Sequence, residues 1–376
     1  MVAAHEEAME MERRQKFRIV AASAVSAIAL CAGAVGEFGM PGGGHRGPPQ
    51  KDMVIDAATR AEVVNAVIDN ITRLYVYPEK AAQMSARLRA QVAHGDFAAI
   101  TSADQFADAL TDSLRHDTHD RHLEVRYFEQ AVPVPKAGED ESPEDAAASL
   151  AEQKRFNFGF ETVGRLKCDI GYIDMHGFNR PEQVKSRIEA AMTLLADTRG
   201  LIIDLRKNGG GDPDTVMLWA SYLYDKPTHL NDIWFRDENK LQERWTTDTV
   251  PGIKYGESRP IFLLTSEDTF SAGEDFAYAL KNNGRATLVG ETTGGGAHPG
   301  GPRRLAAHFA MNVPTGRSIN PVTKTDWEGV GVAPDIKTSA KKALDVAQVA
   351  LLKKLLAVET EPEWQRKIAD RIKELD

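Results

Sequence analysis

Ser271 stands where a buried apolar run, Ile261-Phe262-Leu263-Leu264-Thr265, has ended and a helix opens as Ala272-Gly273-Glu274. A serine there is an ordinary N-cap, and Glu274 three residues on completes the pattern of a capping box. A nucleophile has its own reason to occupy that place. The positive end of a helix favours a developing anion, the Ala272 N–H can join an oxyanion hole, and small Ala272 and Gly273 leave room for substrate. Two glycine turns accompany the serine. The strand-like Leu201-Ile202-Ile203-Asp204-Leu205-Arg206 leads through Lys207-Asn208 into Gly209-Gly210-Gly211, and Asp214 opens a helix. This is either a tight strand-to-helix turn or a cradle whose Gly210 amide meets an oxyanion. The stretch from Gly290 to Pro299 again ends a strand in glycines and carries His298, in a loop where a histidine is usually just solvated. Glu328, in Asp326-Trp327-Glu328-Gly329, is unremarkable alone. His116, His119 and His122 lie among carboxylates without the H-E-x-x-H pattern, so no metal site is expected.

The elements that must hold these residues follow from periodicity. Apolar positions recur at helical spacing over Ala61–Ile71, and further helices are expected at Ala81–Ala93 and Ala103–Leu114. Residues 51–132 therefore read as a small all-helical N-terminal domain, and 133–153, acidic and Pro-containing, as a solvated linker. Strands are expected at Phe156–Val163, Cys168–Met175, Leu201–Arg206, Ile261–Thr265 and Ala286–Gly290. Helices are expected at Pro181–Ala196, Asp214–Tyr224 and Ser271–Asn282. Such alternation predicts an α/β core with βαβ crossovers over 154–345, and Ala340–Ala357 reads as a closing amphipathic helix within a helical segment that completes the chain over 346–376.

Composition sets the outer limits. The chain has 376 residues, 42% hydrophobic, which is ample for a packed core. Its net charge of −9 makes a phosphate backbone an unfavourable partner, so no nucleic acid is expected. Residues 1–50 read as a signal peptide or membrane anchor plus linker. Arg13-Arg14-Gln15-Lys16-Phe17-Arg18 precedes the apolar run Ile19–Val35, which leaves through small Ala32 and Ala34 before a Gly- and Pro-rich stretch. A periplasmic or extracellular location follows, with 19–35 as a tether if it is retained. Cys31 lies inside that run, so Cys168 stands alone and no internal disulfide is expected.

Taken together, the glycine turn after Asp204-Leu205-Arg206, the Thr269-Phe270-Ser271-Ala272-Gly273-Glu274 elbow and Gly290-Glu291-Thr292-Thr293-Gly294-Gly295 resemble the tail-specific (C-terminal processing) serine peptidases and the tricorn core, in that family's order. Tyr77-Pro78-Glu79-Lys80 and His119-Asp120-Arg121-His122-Leu123 are similar to the helical part of the interphotoreceptor retinoid-binding branch. The resemblance implies a ClpP/crotonase-like superhelical core without a PDZ module, since only a short stretch separates His122 from the first core strand. One design of the family pairs the serine with a lysine after the elbow. Thr293–Pro299 holds no lysine, and Lys281 does not match. The tricorn-type design implies His122 as base and Glu328 as orienting acid, acting directly or through a neighbour. That pattern has a serine before the histidine, where this chain has Arg121. Gly209, Glu274 and His298 are supporting candidates.

The expected activity is hydrolysis of a peptide or unfolded protein substrate, with Ser271 attacking, Gly210 and Ala272 amides binding the oxyanion, and no cofactor. The alternatives are a non-catalytic binder of small apolar, retinoid- or lipid-like ligands and a serine hydrolase of non-peptide esters.

Overall fold

The computed structural model describes residues 50–134 and 143–376. The expected leader, its linker and Cys31 lie outside the described residues, as does most of the acidic stretch before Pro143. No helix among the described residues is long and apolar enough to cross a membrane.

Three helices come first, α1 (Ala57–Leu74), α2 (Pro78–His94) and α3 (Ala103–Thr118). Asp56 caps α1 by accepting from the Thr59 N–H, and Ser102 caps α3 by accepting from the Gln105 N–H. Pro78 starts α2, and Gly95 ends it at φ 88. His119 leaves α3 with φ 54, and the chain turns through Asp120–Leu123 into β1 (Glu124–Tyr127). Then follow α4 (Pro143–Arg155), β2 (Phe160–Leu166), β3 (Ile170–Met175), α5 (Pro181–Leu194), β4 (Gly200–Asp204) and α6 (Pro213–Ser221). After them come β5 (Asp232–Phe235), β6 (Lys240–Gln242), β7 (Ile261–Thr265), α7 (Ala272–Asn282) and β8 (Ala286–Gly290). The chain closes with β9 (Gly300–Ala306), β10 (Phe309–Pro314), β11 (Gly316–Ile319), β12 (Ile336–Lys337), α8 (Ala343–Val358) and α9 (Pro362–Leu375).

The main sheet has six strands in the order β12-β8-β7-β4-β3-β2. It is parallel from β3 to β12, and β2 runs antiparallel on one edge. Strands β4 and β7 are buried along their whole length, as continuous apolar runs between two helical layers must be. One face packs on α5, α6 and α7 through Ile203, Leu263, Ile188, Trp219 and Phe276. The other packs on α8 and α9 through Ile202, Phe262, Leu352 and Ile368.

Two expectations change. The first region is not all helical, because β1 pairs antiparallel with β10, which itself pairs with β9. Phe106, Leu110 and Val125 then share one core with Phe309, Met311 and Val313. The helical end is thus sealed onto a hairpin that follows the catalytic-type loops in sequence. Residues 143–153 are helix rather than open connector. Pro143 begins α4, where proline fits the first turn, and the alanines after it favour helix.

Candidate active site

The turns singled out in the sequence lie at the carboxyl ends of adjacent parallel strands, where α/β sheets place their crevices. After β7 the chain reaches Ser271 with φ 51 and ψ −119, a backbone state that ordinary residues avoid. Asp56 and Ser102 cap their helices from extended backbone, whereas Ser271 forms a capping box with Glu274 from φ 51. Neighbours hold the bend. The Phe270 N–H donates to the Asn208 carbonyl at 2.9 Å, and the Ser271 N–H donates to Glu274 Oε2 at 3.0 Å. Gly210, at φ 108, lies directly against the elbow. A Cβ on it would come within 2.7 Å of Ser271 Cβ and 3.0 Å of the Ala272 nitrogen. Its own N–H donates to Asn208 Oδ1 at 3.0 Å, and Gly209 N–H donates to the His176 carbonyl at 3.2 Å. Beside the serine is a small cavity of about 40 Å³, lined by Gly211, Ser271, Ala272, Gly296, Ala297 and Trp327 among others.

Glu274 ties the elbow to the second glycine turn. Besides Ser271 it accepts from the Thr293 hydroxyl and from the Gly295 and Gly296 amides, at 2.7 and 2.8 Å for the two amides. Burial pushes its carboxyl up to about 7, against these donors, which favour the ionised form. The far side of that turn is fixed by Trp327 Nε1–H donating to the Gly296 carbonyl at 2.8 Å.

His122 comes from the turn between α3 and β1. Its ring lies on Phe270, the residue before Ser271, with centroids 4.7 Å apart. Both ring nitrogens are buried without a hydrogen-bond partner among the described residues, and burial lowers the imidazole to about 4. No hydrogen bond joins it to Ser271 in this free state, a common condition of catalytic pairs before substrate arrives. Arg115 pins the turn by donating to the carbonyls of Arg121 and Leu123, both at 2.7 Å. Arg121 places its guanidinium over Phe270 and donates to the Gly294 carbonyl at 3.0 Å.

Behind His122 sits a buried polar cluster. Asp120 Oδ1 accepts the His122 backbone N–H at 3.0 Å. Its Oδ2 accepts from Tyr75 OH at 3.0 Å and pairs with His298 Nδ1 at 2.8 Å. Glu328 Oε2 lies 3.4 Å from His298 Nδ1 and accepts the Ala297 N–H at 2.6 Å. Burial and the Asp120 charge push Glu328 up to about 8. Burial acts to lower His298, but Asp120 and Glu328 outweigh it and raise this imidazole. Asp120, His298 and Glu328 are also the one set among the described residues whose ligand atoms lie within 4.8 Å of one another, as a metal would need. His116 and His119 are exposed and do not join it.

The comparisons with known proteins can now be set beside this geometry. A sequence profile of peptidase family S41 matches residues 169–338, and one for the N-terminal domain of that peptidase in eukaryotic IRBP matches 57–158. The chain belongs to peptidase family S41. The S41 chain is 32% identical to carboxyl-terminal-processing peptidase 2, chloroplastic, of Arabidopsis thaliana over 44% of its own length and 31% of that protein's. It is 27% identical to the carboxy-terminal-processing protease of Bartonella bacilliformis over 46% and 39%. The matched stretch therefore spans between 31% and 39% of these relatives' own length. Its fold is shared with a lipoprotein from Streptococcus agalactiae (15% identity, 82% of this chain and 99% of that one, TM-score 0.54). A putative peptidase from Parabacteroides merdae also has it (16%, 74% and 90%, TM-score 0.50).

Within this S41 chain the sequence-derived candidates fall in one neighbourhood, with two departures from the expected contacts. Glu328 reaches His298 rather than His122, and the Gly210 amide is engaged within its own turn. His298, expected to be solvated, is 2% exposed. Asp120, Tyr75 and Phe270 were not recognised. In the sequence Asp120 is marked only by its place in the His119–Leu123 segment, two positions before His122, with nothing to show its burial.

Proposed function

We propose that the protein is a serine peptidase acting on peptides or unfolded proteins of an exported compartment. The observation that carries this reading is the backbone of Ser271, held at φ 51 at a helix N-terminus, with the buried His122 ring packed on the adjoining Phe270. A cap serves equally well in ordinary geometry, and strain of this kind persists where surroundings impose it for a task. Ser271 Oγ attacks the scissile carbonyl carbon, and its proton passes to His122 Nε2. The oxyanion is met by the Ala272 N–H, with Gly210 N–H joining once it exchanges Asn208 for the substrate oxygen. The carbon–nitrogen bond breaks as His122 returns the proton to the leaving amine, and water then repeats the sequence on the acyl-enzyme. Glu328 acts through its neighbours His298 and Asp120. The carboxyl-terminal processing named in the relatives supports a protein substrate, and the basic-then-apolar leader supports export.

Small apolar ligands are poorly served. Pockets that hold them measure about 300–1,000 Å³, and the cavity beside Ser271 offers about 40 Å³. The larger groove, about 490 Å³ against α8, carries Lys342, Asp345 and Lys353, charges such a ligand would have to desolvate.

The test is labelling with a fluorophosphonate and turnover of an unfolded peptide by parent and Ser271→Ala. Labelling confined to the parent, with turnover abolished in the variant, is expected. Equal turnover by both overturns the assignment, and ester turnover without peptide turnover moves it to a non-peptide hydrolase.

A further inference from the structure

One carboxylate beside His122 has a geometry the peptidase pattern does not assign. We infer that Asp120 is the residue that orients His122, holding its Nδ1 edge so that Nε2 is left as the proton acceptor. The inference rests on the serine-peptidase reading above and names a positioning residue within it.

The case is geometric. Asp120 Oδ1 accepts the backbone N–H of His122 at 3.0 Å, so the carboxylate is anchored to the residue it would orient. The same oxygen lies 3.9 Å from His122 Nδ1, and no other carboxylate is found in contact with that ring among the described residues. The gap exceeds a hydrogen bond by about an ångström. To close it the ring must turn towards Asp120, and neither ring nitrogen has a bond to give up in doing so. The other Asp120 oxygen is fixed by Tyr75 OH and by His298, so the carboxylate itself cannot swing away. Glu328 cannot play this part directly. One of its oxygens serves Ala297 and faces His298, and the other is buried without a partner.

Electrostatics agrees with the placement. Burial acts to raise Asp120, but His298 beside it and the His122 amide outweigh that and hold it below the usual carboxylate range. Glu328, pushed up to about 8 by burial and by the Asp120 charge, holds a negative charge less readily than Asp120 does. The hydrogen bond with His298 is the largest of the influences that favour the ionised form of Asp120 in its buried place.

The experiment has two arms on the full chain. In the first, parent, Asp120→Asn, Asp120→Glu and Ser271→Ala are compared in peptide turnover. Asp120→Asn is expected to lower kcat by about 10³-fold or more at a nearly unchanged KM, as loss of an orienting acid does. Asp120→Glu is expected to recover part of it. A kcat within threefold of the parent for Asp120→Asn, or a loss confined to KM, overturns the inference. The second arm needs no Asp120 variant to fold. The ¹⁵N spectrum of histidine-labelled parent, with His122 assigned by His122→Gln, is expected to show the Nδ1–H tautomer at neutral pH, and the Nε2–H tautomer overturns it. A Ser271→Ala protein as active as the parent would instead remove the peptidase reading, a result distinct from either of these.

Discussion

Gly296→Ala tests whether the second glycine turn exists to seat the base. A Cβ at Gly296 would stand 2.5 Å from Phe270 Cε2 and 2.7 Å from His122 Cε1. Carbon atoms pack at about 3.5–4.0 Å, so both rings must retreat by roughly an ångström. They cannot do so separately, because they pack against each other at a 39° tilt with centroids 4.7 Å apart, and Phe270 is fully buried. The Gly296 backbone is not in the left-handed region, so the effect is steric alone. Overpacking of this kind costs about 1–3 kcal/mol, which leaves a protein of this size folded. A displacement of about 1 Å at a reacting group costs about 10²-fold in rate. The variant should therefore melt a few degrees lower and turn over an unfolded peptide about a hundredfold more slowly. Gly95→Ala is the control. Gly95 has φ 88 with nothing within 4 Å, so alanine there strains a helix end far from the site. It should cost about 1 kcal/mol without touching the rate. Should Gly296→Ala keep the parent's kcat, the placement of His122 through this loop is refuted.

Other expectations concern the carboxylates and the base. Glu274→Ala removes the acceptor of the Ser271, Gly295 and Gly296 amides and of the Thr293 hydroxyl. Buried donors left unmatched cost about 1–3 kcal/mol each, so urea unfolding should show a loss of at least about 3 kcal/mol, and a loss under 1 kcal/mol would contradict the network. Glu328, raised from 4.5 to about 8, keeps a proton in the folded state that the unfolded chain releases. Stability should therefore fall as pH rises from 4.5 to about 8, by at most about 1.4 kcal/mol per unit. Glu328→Gln should flatten that slope in melting curves, and parallel curves for parent and variant would oppose this. His122, lowered from 6.5 to about 4, stays neutral in the folded state while the unfolded chain takes up a proton, so its contribution to stability is lost as pH falls from 6.5 through 4. Fluorophosphonate labelling should hold at pH 5.5, and a decline centred near 6.5 would mean that the base is not desolvated. Arg121→Ala removes a donor to Gly294 and the guanidinium over Phe270, so turnover should drop several-fold with about 1 kcal/mol of stability; an unchanged rate would show that the loop needs neither.

Much of the fold was legible because the buried parallel strands announce themselves. Ile261–Thr265 and Ala286–Gly290 are strands at the expected positions, since an apolar run closed by turn residues has few other readings. The edge hairpin was not legible. β9 contains Pro302, Arg303 and Arg304, and β1 is four residues long with two charges. Nothing local marks either as a strand, and each exists because β10 supplies its hydrogen bonds and because Phe309 and Val125 find a common core. That pairing carries the α3–β1 turn, and so His122, to the loops at the far side of the sheet. A sequence read in windows cannot see it.

The same reasoning explains which parts of the site were visible. Ser271, Gly210 and Glu274 are neighbours in short stretches whose residue types already limit what the backbone can do. His298 and Asp120 are a pair only because β1 lies on β10, and each by itself resembles an exposed loop residue. Their burial also sets their charge. Once Asp120 is enclosed, its ionised form depends on its partners, and among the described residues His298 is the one imidazole hydrogen-bonded to it. Replacing His298 with an apolar residue would therefore leave Asp120 a buried charge without its partner, and the damage would spread to His122 through the amide they share. In this site the second imidazole is needed by the carboxylate before any question of proton transfer arises.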